Sequence, residues 1–262
     1  MARPLLVLAA LALAGCAAPA ALEDALAGIG LGIAMGGCTQ THTFAPYPVE
    51  AFDGMLPDGW SLQTADPAGR TTFFNLAASS CERAVATTAA GADPVEPFAE
   101  AWGYLFVVPP GGASEDASAD LWPLGAVVSD ARALAIYRSW GLEGLAVEGE
   151  IEIALTAAGP ALASRTSARG GGETFDVDSA ARSGDGAFPE GAFRVWIPAD
   201  DEDGVAGSFL YAWPEGGADR GLGSGTLRYT GPLLNASPAG PALVHHVTGV
   251  DVVVAPLPHV TE

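Results

Sequence analysis

The chain has 262 residues, of which 49% are hydrophobic and 16% charged, and its formal net charge is −20. This composition supplies enough apolar side chains for one large domain or two small ones. The negative charge repels nucleic acid and anionic lipid, so the composition excludes both as partners of the folded domain. All 11 basic residues are arginine, and the chain has no lysine.

The first residues have the three parts of a secretory signal. Arg3 supplies a positive charge, residues 5–13 are an apolar run, and small residues follow. The run is too short for a membrane-spanning helix, which needs about 20 residues. The sequence "LAGC" at 13–16 resembles a lipobox, which implies removal of residues 1–15 and lipidation of Cys16. We therefore expect an exported cell-envelope lipoprotein, anchored to the outer face of a membrane through Cys16. The alternative is an ordinary cleaved signal with an incidental cysteine.

Cys38 and Cys81 are the other two cysteines of the chain. If Cys16 carries lipid, they remain as a pair in an oxidising compartment, and a disulfide between them is the simplest prediction. Two buried free thiols are the alternative. No cysteine and histidine spacing typical of a zinc site occurs. The sequence predicts neither a bound metal nor a cofactor.

Residues 16–37 are predicted to be the lipidated N-terminus and a tether. This segment is rich in alanine and glycine, and each glycine weakens a helix by nearly 1 kcal/mol relative to alanine. From Cys38 the hydrophobic pattern changes to a period of two, as in a half-buried strand. We therefore predict that the folded domain spans residues 38–262.

Short strands with few helices are predicted throughout this domain. The clearest strand is "VEGEIEIAL" at 147–155, whose three glutamates share a face that we expect to be solvated. Short helices are predicted from Val49 to Leu56 and from a Ser129 cap to Gly141. The other predicted strands are residues 38–45, 71–78, 102–108, 124–128, 174–177, 192–197, 208–213, 225–230 and 243–254. This pattern is typical of a mainly β fold of the α+β class, with a single antiparallel β-barrel or cone-like domain.

No motif in the chain specifies a catalytic chemistry. A G-x-S-x-G nucleophile elbow and an H-E-x-x-H metal motif are both absent from the sequence. His245 and His246 are neighbours within a predicted strand, so their side chains are expected to point to opposite faces. The sequence therefore predicts no catalytic residue.

Several short motifs together resemble the acetoacetate decarboxylase-like superfamily. They are "LPDGW" at 56–60, "DPAGRTTFFNLA" at 66–77, "FAEAWGYLFVVPP" at 98–110, "YRSWGLEGL" at 137–145 and "GTLRYTG…HHVTGVDVV" from 225 to 253. The resemblance implies a cone-shaped β-barrel with an interior pocket, with Glu100 at the family's glutamate and Arg138 at its arginine. The family's decarboxylase forms a Schiff base through a lysine. Here "LEGL" replaces the segment that carries it, so the resemblance does not extend to that chemistry.

The predicted ligand-binding residues combine this resemblance with the strand alternation, which places one carboxylate at the end of an aromatic wall: Glu100, Trp102, Tyr104, Phe106, Arg138, His245 and His246. We expect a lipid-anchored extracytoplasmic protein that binds a small, mostly apolar ligand without Schiff-base catalysis. Two alternatives stay open: an enzyme of the lyase or hydrolase type with Glu100 or a histidine as general base, and an envelope structural module. Glu100 could also be a carboxylate at a strand edge, and Arg138 a helix-end residue.

Overall fold

The computed structural model describes residues 32–88, 91–115, 117–182, 186–187, 191–199, 204–213 and 217–257. The predicted signal peptide and Cys16 lie outside these residues. The first eight strands are β1 (Gly32–Pro48), β2 (Ser61–Leu62), β3 (Thr71–Ser80), β4 (Arg83–Thr88), β5 (Gly91–Val95), β6 (Ala99–Val108), β7 (Ala119–Val128) and β8 (Ala146–Ala158). They are followed by β9 (Ala161–Gly170), β10 (Glu173–Arg182), β11 (Gly186–Ala187), β12 (Gly191–Pro198), β13 (Val205–Trp213), β14 (Ala218–Thr230) and β15 (Ala242–Pro256).

The α-helix α1 (Ala131–Tyr137) lies between β7 and β8. Its N-cap is Asp130, whose carboxylate accepts hydrogen bonds from the first-turn amides. Ser129, the predicted cap, instead accepts a hydrogen bond from the amide of Ala99. The helix continues as one π-helical turn that contains Gly141 in a left-handed conformation, with φ 95°.

The helix predicted from Val49 to Leu56 is a single 3-10 turn, Val49–Phe52. The chain turns immediately afterwards at Gly54, whose φ of 76° cannot continue a right-handed helix. Phe52 is nevertheless buried, as its place on the predicted apolar face requires.

The fifteen strands form one sheet that closes on itself in two ways. Strands β15, β1, β3, β6 and β7 are consecutive neighbours, and we call them the shared wall. One circuit closes through β12 and β13 and is called the seven-strand lobe. The other closes through β8, β9, β10 and β14 and is called the nine-strand lobe. The predicted mainly β barrel is confirmed, although β7 pairs in parallel with both β8 and β12.

Alternation along the shared wall gives each lobe its own core. On β6, Trp102 and Tyr104 are buried in the cluster of the seven-strand lobe. Ala101 and Leu105 are buried in the cluster of the nine-strand lobe. β6 is therefore buried on both faces.

The start of β1 corrects the predicted boundary between tether and domain. Residues 32–37 belong to β1, and Ile33 and Met35 are fully buried. The glycines of this segment disfavour a helix, but they suit a strand that other side chains approach closely. A Cβ on Gly36 would lie 2.7 Å from the guanidinium of Arg83. The folded domain therefore begins no later than residue 32.

The disulfide between Cys38 and Cys81 is confirmed. It joins β1 to the residue that follows β3, and both cysteines are buried in the core of the seven-strand lobe. The glutamates of β8 at 148, 150 and 152 are exposed, as the alternation predicts. No helix among the described residues combines the length and the apolar character needed to cross a membrane.

Candidate functional site

Three strands of the shared wall place their side chains in rows that face the seven-strand lobe. The register of β1, β3 and β6 aligns directly opposite residues on these strands. Direct cross-strand neighbours have Cβ atoms about 5 Å apart, so each row is a set of contacting side chains. From the deepest row outward, the rows are Gln40–Ser79–Glu100, His42–Ala77–Trp102 and Phe44–Asn75–Tyr104.

Glu100 is the charged group of the deepest row and is only 1% exposed. Tyr137, from α1, donates a hydrogen bond of 2.6 Å to one carboxylate oxygen, and Ser79 donates a longer one of 3.5 Å to the other. The indole N–H of Trp102 and the hydroxyl of Tyr211 also favour its charged form. Burial outweighs these neutral donors and raises the pKa of Glu100.

A polar chain leads from this carboxylate towards the next row. Tyr211, on β13, accepts a hydrogen bond of 3.2 Å from the side-chain amide of Gln40. The carbonyl oxygen of that amide lies 3.5 Å from Nε2 of His42. Burial, followed by repulsion from His245, lowers the pKa of His42 to about 4. His42 is therefore neutral at neutral pH.

Several buried polar atoms of this face have no hydrogen-bond partner among the described residues. They are Nδ1 of His42, both side-chain amide atoms of Asn75, Nε1 of Trp102 and the hydroxyl of Tyr104. The indole of Trp102 lies close to Glu100 but outside hydrogen-bond geometry. Each buried group without a partner costs about 1–3 kcal/mol, and such groups are rare in native proteins. This face therefore offers an unusual concentration of free donors and acceptors.

Aromatic rings connect these polar groups to the edge of the lobe. Phe44, Phe106 and Phe193 are half-buried, and we call these three residues the aromatic rim. The ring of Phe106 lies 6.0 Å from that of Phe44 and 6.5 Å from that of Phe193. Along β6, exposure falls from the half-buried Phe106 to the almost fully buried Tyr104 and Trp102. The face thus grades from a partly exposed aromatic edge to a buried polar end.

The structure brings together Glu100, Trp102 and Tyr104, and it places Phe106 at the aromatic rim. His245 lies on the same face, opposite His42, but it is half-buried and its Nε2 is 3.0 Å from a carboxylate oxygen of Asp219.

Arg138 and His246 lie elsewhere, so the structure does not bring them together with Glu100. Arg138 is exposed, and its guanidinium donates to the carbonyl oxygen of Ala146. It follows α1, and the π-helical turn carries it away from Glu100. His246 faces the nine-strand lobe, because its position in β15 is one residue from that of His245. Its Nε2 lies 2.9 Å from the hydroxyl of Ser179 and 3.4 Å from that of Ser164.

Sequence reasoning did not identify five residues of this face: Gln40, His42, Asn75, Tyr137 and Tyr211. For three of them a local signal existed. Gln40 and His42 share one face of the strand "CTQTHTFA", and Asn75 interrupts the apolar run "FFNLA". Tyr137 and Tyr211 lie on other elements, and only the fold brings them to Glu100.

The nine-strand lobe has a separate cleft of about 190 Å³. Its lining includes Gly103, Gly125 and Leu233, with the carboxylate of Glu173 as its charged group. This carboxylate accepts a hydrogen bond from the hydroxyl of Tyr229. Unpartnered polar atoms occur in this lobe too, on Thr43, Tyr47 and His246.

Comparisons with known proteins found similar solved structures at low sequence identity. No protein-family model and no curated protein matches the chain. One similar solved structure is an acetoacetate decarboxylase-like enzyme from Sphingomonas wittichii RW1, with 13% identity, a TM-score of 0.49 and coverage of 88% of this chain and 93% of that chain. Another is the enduracididine biosynthesis enzyme MppR, complexed with the condensation product of pyruvate and imidazole 4-carboxaldehyde, with 13% identity, a TM-score of 0.46 and coverage of 86% and 88%. Both similarities lie at 13% identity and carry no information on activity or ligand.

Proposed function

We propose that this protein is a lipid-anchored extracytoplasmic binding protein whose β-barrel holds a small, mostly apolar ligand in the seven-strand lobe. The observation that carries the proposal is the set of buried polar atoms without partners on the face of Asn75, Tyr104 and His42. A ligand that donates to and accepts from these atoms removes the cost of leaving them unpaired. The aromatic rim supplies contacts for the apolar part of the same ligand.

The location of the protein in this proposal follows from its N-terminal sequence. Residues 1–15 act as the lipoprotein signal, and lipid on Cys16 is the contact with the membrane. The acidic folded domain itself has no affinity for an anionic surface. The chain has no lysine, so the bound ligand is held without a lysine Schiff base.

Asn75 provides a sharp test of ligand binding. The neutral apolar probe N-phenyl-1-naphthylamine carries one N–H donor and reports its environment by fluorescence. We expect the full-length protein to bind one equivalent, and Asn75→Leu to weaken binding at least tenfold because the amide acceptor is lost. Asn235→Leu is the matched control, since Asn235 is the other asparagine of the chain and is exposed. Equal affinity of the wild type and Asn75→Leu would contradict the proposal.

A second candidate function is catalysis with Glu100 as general base. The observation that favours it is a buried carboxyl with a raised pKa in contact with a tyrosine hydroxyl. Native mass spectrometry of the protein purified with its ligand separates the two functions. An enzyme releases a chemically altered molecule that Glu100→Gln no longer produces, whereas a binding protein returns the ligand unchanged.

A further inference from the structure

We propose that the ligand carries a protonated amine, which binds beside Glu100, on an apolar body that lies along the aromatic rim. This inference rests on the proposed function and specifies the class of ligand for the same site. It follows from three features of the seven-strand lobe: the charge at its buried end, the rings around that charge and the direction of the nearby arginines.

At the buried end of the lobe, no cationic side chain among the described residues forms an ion pair with the carboxyl group of Glu100. The side chains that act on Glu100 are Ser79, Trp102, Tyr137 and Tyr211, and all four are neutral. A buried carboxylate is costly unless it is paired with a cation, and neutral donors compensate only part of that cost. A ligand ammonium group supplies the missing positive charge and three further donors.

Aromatic rings surround this position. The ring of Trp102 lies 5.1 Å from that of Tyr137 in an edge arrangement and 5.7 Å from that of Tyr104 in a stacked one. The ring of Phe209 completes the group at 5.8 Å from Trp102. Cations are attracted to the faces of tryptophan, tyrosine and phenylalanine, most strongly where water is excluded. The rings therefore favour an ammonium group over an anion of similar size.

Two arginines that directly follow aromatic residues of this lobe, Arg138 after Tyr137 and Arg194 after Phe193, are directed elsewhere. Arg138 donates to the carbonyl oxygen of Ala146 at the surface. Arg194 lies on the opposite face of β12 from Phe193, with its guanidinium 5.2 Å from the ring centre of Trp196. His42 is neutral at neutral pH. A carboxylate ligand would thus meet Glu100 with no counter-charge from these residues.

Three probes with one phenyl body test the inference: 2-phenylethylamine, 2-phenylethanol and 3-phenylpropionate. Isothermal titration of the full-length protein at pH 7.5 measures each affinity. We expect the amine to bind at least tenfold more tightly than the alcohol, and the carboxylate to bind more weakly than both. In Glu100→Gln, which keeps the side-chain shape but removes the charge, we expect the preference for the amine over the alcohol to vanish.

Glu173→Gln is the matched control, because Glu173 also accepts a hydrogen bond from a tyrosine hydroxyl but lies in the nine-strand lobe. It should keep the preference for the amine. Equal binding of amine and alcohol by the wild type, tighter binding of the carboxylate, or a preference that survives Glu100→Gln overturns the inference. If Glu100→Gln does not fold, the order of the three affinities of the wild type still tests the inference. Binding of the alcohol or of N-phenyl-1-naphthylamine without an amine preference overturns this inference and leaves the proposed function standing.

Discussion

The hydroxyl of Tyr137 donates a hydrogen bond of 2.6 Å to the carboxylate of Glu100, across 37 positions of the chain. The start of α1 positions this contact. Ser129 accepts a hydrogen bond from the amide of Ala99, at the first residue of β6, and Asp130 then caps the helix. About two helical turns after this cap, Tyr137 donates its hydroxyl hydrogen to Glu100, the next residue of β6. A short helix is therefore the element that closes the buried end of the seven-strand lobe over its carboxylate.

The titration of Glu100 tests this arrangement directly. Burial raises the pKa of Glu100, and the Tyr137 hydroxyl opposes the rise by donating to the charged form. Carbon-detected NMR titration should show a pKa for Glu100 above the ordinary value for a glutamate side chain. Tyr137→Phe keeps the ring but removes the donor, so it should raise the pKa of Glu100 further. An ordinary glutamate pKa for Glu100 would contradict the interpretation of Glu100 as a functional carboxylate.

The raised pKa of Glu100 also predicts how stability depends on pH. The folded protein holds this proton more tightly than the unfolded chain, so the stabilisation is complete below the ordinary pKa and is lost as the pH rises through the folded value. Urea unfolding should therefore show that wild type loses stability relative to Glu100→Gln as the pH rises above about 4.5. A difference between the two proteins that does not change with pH would contradict this prediction.

His42 should make the folding stability depend on pH in the opposite direction. Its pKa is about 4 in the folded protein, against 6.5 for a free histidine, so the unfolded chain binds the proton more tightly. The stability it contributes is complete above pH 6.5 and is lost as the pH falls towards 4. The linkage amounts to about 3 kcal/mol at most. His42→Gln should flatten the unfolding free energy between these pH values, and a slope equal to that of the wild type would show that His42 is not buried as a neutral ring.

The disulfide should contribute substantially to stability. Cys38 and Cys81 are 43 positions apart, and closing a loop of this length is worth about 4 kcal/mol in the chain-entropy model. The double variant Cys38→Ala, Cys81→Ala should unfold at a markedly lower urea concentration than the oxidised wild type. Adding dithiothreitol during unfolding should lower only the wild-type midpoint. Two thiols that react with an alkylating agent in the folded, oxidised protein would contradict the pairing.

The anchor is testable by fractionation. If Cys16 carries lipid, Cys16→Ser cannot receive it, and the variant should leave the membrane fraction or remain unprocessed. Immunoblots of membrane and soluble fractions measure this directly. A variant that stays with membranes after normal cleavage would rule out a lipid on Cys16 as the anchor.

The sequence by itself determined which neighbouring side chains share a face. Alternation predicted that Glu100, Trp102 and Tyr104 point the same way, and the structure places all three in one lobe. The pairing of Cys38 with Cys81 followed from there being only one further pair of cysteines. Both inferences need only the period of a strand or a count of residues, and neither depends on how distant segments meet.

Only the tertiary structure determined which residues those side chains contact. Asn75 stands beside Tyr104 because β3 and β6 pair in one particular register, and a shift of one residue would have turned it to the other lobe. Tyr211 reaches the same face through the closure of β13 onto β15. Arg138 was predicted to face the pocket, but the turn that ends α1 directs it to the surface. Strand register and barrel closure depend on packing between segments that are far apart in the chain. The hydrophobic pattern within one segment therefore does not predict them.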